Sequence, residues 1–395
     1  MIRKAKIFYQ PYFLSGILIV ITLIITAQNL LLDANTFQTT GTGYTHYNNY
    51  LIFKHSFFHL TENKDLYQLY PAEHFDHYKY SPAFALLMAP LAVLPNPAGL
   101  LIWNLVNVLI LFFALWNLPG QSDKRRLFMV VFIMIELITS IQNSQSNGLM
   151  AGLILFAFIF LEKKQIVAAS LCIALTISIK IFGLVAFSLF LFYPGRLKAV
   201  AWSLIWIIIL AILPLLVIPV SQLFFLYQSW LHLLQQDQSL SYGLSVAGWL
   251  HSWFGIEAKN IILLTGIVLF CLPLMKYKYF SELKFRLFFL SSILIWIVIF
   301  NYKAESPTFI IAITGVAVWF SSQKIKFENL VLLVLAFFLT ILSPTDLFPA
   351  IIRDKYLEPW LLKVVPCILV WGKITADLLL YEKQEERKHP DAVNA

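Results

Sequence analysis

One pattern limits what this chain can become more than any other. Apolar runs of about the length that crosses a bilayer follow one another from Ile7 to Leu380, separated by short basic clusters. In lipid such runs satisfy their backbone polar groups only as helices. The clusters are Arg3, Lys4 and Lys6, then Lys124–Arg126, Lys163 with Lys164, Arg196 with Lys198, Lys276–Arg286, Lys324 with Lys326, and the tail from Lys383. Cytoplasmic loops of membrane proteins carry this excess of Lys and Arg. Only 13% of residues are charged, against about 25% in soluble proteins. The expected class is therefore an all-α polytopic membrane protein. The net charge of +8 reads as topology, and no nucleic-acid partner is expected.

Holding every basic cluster on one side fixes the crossings between them. After a retained first span, Ile7 to Leu32, the spans fall near 98–118, 126–142, 147–162, 165–179, 181–194, 197–219, 258–275, 284–301, 306–321, 327–343 and 357–380. That gives a bundle of about 12 transmembrane helices with both termini cytoplasmic. Ser81–Pro95 is too short for another crossing and is expected as a re-entrant or interfacial helix. The pair of runs around Lys180 is also short, and is expected as a bent hairpin with Lys180 near the outer surface. Residues 1–382 form one transmembrane domain, with extracytoplasmic loops at 33–80 and 220–257, and residues 383–395 form a cytoplasmic tail. The three cysteines, Cys172, Cys271 and Cys367, lie inside apolar runs, so no disulfide framework is expected.

The polar stretches then gather on the outer side: the loop from Asp33 to Pro82, the turn Asn143–Asn147, Lys180, Ser221–Glu257, Asn301–Thr308 and Ser343–Phe348. The first loop holds five of the eight histidines. Within it, Tyr47–Leu60 has helical periodicity. Tyr50, Phe53, Phe57 and Leu60 form an apolar stripe, and Asn48, His55 and His59 fall opposite, as expected of an interfacial helix with one face in lipid and one towards a polar cavity. His55 with His59, and His74 with His77, have spacings a metal accepts, but no HExxH or carboxylate-rich set accompanies them. Interfacial hydrogen bonding is the expectation, with no metal and no cofactor. Lys180 interrupts an apolar run, where a cation snorkels or meets an anion; a lipid phosphate is the natural anion there. Glu305, ahead of Ser306 and Pro307, has the position of a helix cap.

Several of these residues also carry a family resemblance. Lys64-Asp65-Leu66-Tyr67, Tyr80-Ser81-Pro82-Ala83-Phe84 running to Leu94-Pro95, Trp103-Asn104 with Asn107, Gln145-x-Asn147 and Ile179-Lys180 resemble glycosyltransferase family 87. The likeness covers roughly Thr45 to Arg196 and continues at Lys303–Thr308. It implies a GT-C fold in the bacterial cytoplasmic membrane, with a long helical first loop and an extracytoplasmic active site. It implies transfer of a hexose, commonly mannose, from a polyprenyl-phosphate donor to a glycan or glycolipid acceptor. Members carry an early loop Asp as base. Here the matching stretch Gly43–Tyr50 has no acid, which leaves His46, Asp65 or Glu305 to serve. The same resemblance and the residues' chemistry nominate Asn48, Asn49, Tyr67, Tyr80, Gln145, Asn147 and Lys180 for substrate binding. The family's Gly before the Gln is replaced by Ser144. A transporter or lipid-glycan flippase is the competing class. It would call for charges along a pathway and pseudo-symmetric halves, and neither is evident.

Overall fold

The computed structural model describes residues 10–36, 43–239 and 242–382. The basic start at Arg3, Lys4 and Lys6 and the tail from Lys383 lie outside the described residues. Apart from one two-residue antiparallel pair, Asn35–Thr36 with Gly43–Tyr44, the described residues form helices and turns. The chain is thus an all-α bundle with the apolar helices of a polytopic membrane protein.

Four helices are long and apolar enough to cross a membrane alone: Pro11–Leu31, Asn96–Trp116, Arg196–Leu216 and Lys259–Tyr279. The other expected spans are shorter or built in two pieces. Asn147–Glu162, Ile166–Ile179 and Phe309–Ser321 are short apolar helices. Residues 126–142 divide at Ile133 into Asp123–Phe132 and Met134–Gln142. Burial separates centre from rim. Every residue of Phe309–Ser321 is buried, whereas only 22% of the apolar window of Arg196–Leu216 is. A helix apolar all round belongs in a core or in lipid, and here both kinds occur. Where central helices meet closely, Gly152 leaves room for the backbone of Leu111; a side chain there would collide.

The helix ends sort into two groups. At one end Arg286 reaches Glu162, Gln121 reaches Ser322, and Tyr279 packs on Tyr381. At the other, Asn49 donates to the carbonyl of Asn143, Gln222 to that of Asn63, Asn147 to that of Pro307, and Lys363 to Ser306.

Several details differ from the expectation. The stretch 220–257 is largely helical, as Val220–Ser239 and Val246–Phe254. The last span begins only at Val365, and the residues before it form an irregular segment that carries Lys363 inward. The loop helix exists as Asn48–Thr61, but its Phe53 stripe meets protein: Phe53 packs edge-on against Tyr80, Phe84 and Trp103. His59, expected on the open face, is buried. Ser81–Pro95 forms two short helices, Pro82–Leu87 and Ala89–Ala92, roped to the loop helix by Tyr50 and Lys54 on the carbonyls of Leu91 and Leu94. That ties the segment to the first loop.

Candidate active site

The site grows from a break in a helix. Ile166–Ile179 ends at Lys180, whose backbone is extended (φ −143°, ψ 125°), and the chain resumes as 3₁₀ turns over Ile181–Phe192. The break is pinned from the side. Ser81 Oγ donates to the carbonyl of Ser178 at 2.6 Å and accepts from the amide of Phe84, capping the helix that Pro82 begins. A Ser cap followed by Pro in the first helical turn is the arrangement the Tyr-Ser-Pro sequence favours. The same hydroxyl thus fixes both the start of that helix and the place where Lys180 leaves its own.

Lys180 Nζ donates to Asn147 Oδ1 at 2.7 Å, and Asn147 Nδ2 donates to the carbonyl of Pro307 at 3.0 Å. Asn147 opens the helix Asn147–Glu162, and its turn is held by two residues of the long helix Asn96–Trp116. Trp103 Nε1 donates to the carbonyl of Ser144, and Asn107 Oδ1 accepts from the amide of Leu149. The Lys180 ammonium lies 5.8 Å from the Tyr80 ring centroid and 5.7 Å from that of Phe182. Glu305 is exposed at the head of Ser306–Thr308, in a capping box with Thr308, and its charge acts on both Lys180 and Tyr80. Burial pushes the Tyr80 phenol well above its ordinary value, so it stays a neutral hydrogen-bonding group.

Other nominated residues have structural work. Asp65 accepts from Ser229 Oγ with both carboxylate oxygens, and from the Tyr67 amide and Gln68 Nε2; it joins the first loop to Val220–Ser239. Tyr67 is buried, with its hydroxyl on the carbonyl of Tyr80. Asn48 exchanges two hydrogen bonds with the backbone of Phe75, and Asn49 holds Asn143. Gln145 Oε1 is a buried acceptor without a partner among the described residues. His46 is half-buried in the turn before the loop helix and makes no hydrogen bond to Lys180, Asn147 or Glu305. Among the nominated residues, then, Tyr80, Asn147, Lys180 and Glu305 come together.

Sequence reasoning missed a second cation here. Lys363 Nζ donates to Glu136 Oε1 at 2.7 Å and to Ser306 Oγ at 2.8 Å, 5.0 Å from the Phe309 ring centroid. Both side chains are buried, and Glu136 Oε2 has no hydrogen-bond partner among the described residues. A cavity of about 260 Å³ opens above it, lined by Ser306, Ser343, Arg353, Glu358 and Lys363. The short segment Glu305–Pro307 thus stands between Lys180 with Asn147 on one side and Lys363 with Glu136 on the other.

The helical bundle thus gathers two lysines, Lys180 and Lys363, and the exposed carboxylate of Glu305 towards one end. The sequence model of glycosyltransferase family 87 matches residues 78–344, and the chain belongs to that family. No curated protein matches the sequence. Among solved structures, the crystal structure of ArnT from Cupriavidus metallidurans bound to undecaprenyl phosphate is similar at 10% identity and a TM-score of 0.44, over 92% of this chain and 77% of that one. A likeness that loose gives no residue correspondence.

Proposed function

We propose that this chain transfers a hexose, with mannose the first to test, from a polyprenyl-phosphate carrier to a hydroxyl of a glycan or glycolipid. The reacting centre faces outward from the bacterial cytoplasmic membrane, by the inside placement of the basic clusters. One observation carries the reading. Lys180 is a cation held at a helix break by a neutral amide, beside a carboxylate, Glu305, that is exposed. An ammonium has three donors, and one bond to Asn147 leaves the others for an anion.

The chemistry follows from that placement. Glu305 takes the proton of the acceptor hydroxyl as its oxygen bonds to the anomeric carbon. The bond from that carbon to the phosphate oxygen breaks in the same displacement, inverting the centre. The departing polyprenyl phosphate keeps the electron pair, and Lys180 with amide donors stabilises the charge that develops there. A phosphate leaving group needs no general acid, and the scheme uses no metal. Tyr80 and neighbouring aromatics offer faces for the sugar and the isoprenoid. His46 and Asp65 remain the alternatives for the base.

Purified protein in liposomes, given polyprenyl-phosphate hexoses and candidate acceptor lipids, should release polyprenyl phosphate and yield a product of inverted anomeric configuration. Absence of turnover with several hexoses, together with movement of intact lipid-linked sugar between leaflets, would establish a transporter instead. Single cysteines at Asn63 and Lys164 should label from opposite sides of the membrane; labelling from one side would overturn the topology.

A further inference from the structure

The first loop contains a cluster that the transfer reaction does not use. His59 Nε2 lies 2.8 Å from Glu73 Oε2, and His55 Nδ1 lies 3.1 Å from the same oxygen. One ligand atom from each of His59, Glu73 and His74 lies within 4.8 Å of the others. The three imidazoles of His55, His59 and His74 stand almost equally apart, with centroids at 6.2, 6.2 and 6.3 Å. The sequence suggested pairings of neighbours, His55 with His59 and His74 with His77. The fold instead brings His74 across to the loop helix and turns His77 to the carbonyl of Tyr67.

We propose that His59, His74 and Glu73 form a binding site for a divalent transition-metal ion of the zinc class, which staples the loop helix Asn48–Thr61 to the segment around Glu73. Two imidazole nitrogens and one carboxylate oxygen are a donor set that zinc accepts, with one position left for water. Calcium and magnesium require mostly oxygen donors, so the two imidazoles select against them. The surroundings prepare each ligand. His74 Nδ1 lies 3.1 Å from the carbonyl of Asp76, which places a proton on Nδ1 and leaves the Nε2 lone pair for a metal. His74 is 6% exposed, and its Nε2 makes no hydrogen bond among the described residues. His59 is 3% exposed and stacked on Tyr70 with centroids 3.8 Å apart, so its ring is held. Outer-shell contacts of this kind fix the tautomer and orientation of metal-binding histidines. His55 bonds the Glu73 carboxylate without belonging to the closest trio, and orients it.

Without metal, Glu73 accepts from His59 Nε2–H. With metal bound, the ring takes its other tautomer: the proton moves from Nε2 to Nδ1, and the Nε2 lone pair binds the ion. Glu73 is about one-third exposed (32%), so the ion reaches the site from solvent.

This site is independent of the transfer reaction, and its test needs no substrate. Full-length protein in detergent is stripped with chelator, dialysed and titrated with Zn²⁺ by calorimetry. One equivalent should bind, the unfolding midpoint should rise, and X-ray absorption should report mixed nitrogen and oxygen ligands near ~2.0 Å. Glu73→Gln and His74→Ala should each weaken binding at least tenfold. Should His74→Ala fail to fold, Glu73→Gln, at a partly exposed position, still gives the answer. Binding unchanged in Glu73→Gln, or loss of binding in a His232→Ala, His251→Ala variant instead, would overturn the site. So would the absence of any stoichiometric zinc binding to the wild type.

Discussion

Two cations at opposite ends of the bundle show how differently the ends are built. Arg286 is paired with a carboxylate. Its guanidinium makes two hydrogen bonds to Glu162, at 2.6 and 3.0 Å, donates to the carbonyl of Phe280, and lies 5.3 Å from the Tyr193 ring centroid. Lys180 has one hydrogen bond, to a neutral amide, and no carboxylate within ion-pair distance among the described residues. A bidentate Arg–carboxylate pair matches the geometry of the two groups and cancels the charge that an anionic ligand would need. A half-satisfied Lys at a helix break has the opposite property. One end of the molecule spends its charges on holding helices together; the other keeps a charge ready.

The largest effect that would sharpen this contrast is at Glu305. Glu305→Gln should lower kcat by about 10²–10⁴-fold, the usual worth of a positioned general base, with KM for the donor little changed. Asp65→Asn should instead loosen the packing of the first loop on Val220–Ser239, and His46→Gln should leave kcat near wild type. A kcat collapse in His46→Gln with Glu305→Gln active would move the base to the loop.

The paired cations come next. Arg286→Met leaves the Glu162 carboxylate, 16% exposed, without its partner, and breaking such a pair costs about 3–5 kcal/mol. It should reduce the unfolding midpoint steeply while the folded fraction keeps its donor affinity. Lys180→Met should do the reverse, weakening donor binding about tenfold or more while unfolding changes little, because a hydrogen bond to a charged group contributes about 1.5–3 kcal/mol. Donor titration and thermal unfolding on the same two preparations decide it. Equal behaviour of the two variants would dissolve the distinction between the ends.

Much of this was readable before any coordinates. Apolar runs and basic clusters report directly on where a chain meets lipid and which ends share a side, so the helices and the two groups of ends followed. Lys180 was readable because a lone charge in an apolar run has few reasons to be there. Glu136 sent the same signal, with only Arg126 at the edge of its assigned span, whereas Lys363 shares the stretch 357–380 with Glu358, Lys373 and Asp377. Their pairing joins positions 227 residues apart, and nothing local announces it. The loop helix shows a second limit. Periodicity places His59 and Phe53 on opposite sides, but it does not say what covers each side. Tyr70 and Glu73 arrive from downstream to bury His59, and Tyr80, Phe84 and Trp103 take the place that lipid was expected to fill.

A mid-sized effect is expected at the buried pair. Lys363→Met and Glu136→Gln should each destabilise the fold, by about 3–5 kcal/mol where a buried charge loses its partner, less for Gln. The double substitution should recover part of the loss, since the two side chains touch and their effects do not add. A fully additive double mutant would mean that the Ser306 contact, rather than the ion pair, holds this side of Glu305.

The smallest effect probes the strut behind Lys180. Ser81→Ala removes a helix cap, which typically costs about 1 kcal/mol, and also the 2.6 Å hydrogen bond to the carbonyl of Ser178. That carbonyl sits two residues before the helix break, so its release lets Lys180 move relative to Asn147. The expected result is a modest fall in the unfolding midpoint with a several-fold rise in KM for the donor. Ser81→Thr keeps the hydroxyl and should restore both. If Ser81→Ala lowered the midpoint but left KM untouched, the break would be positioned by its own helix and by Asn147, and the Tyr-Ser-Pro segment would serve the fold alone.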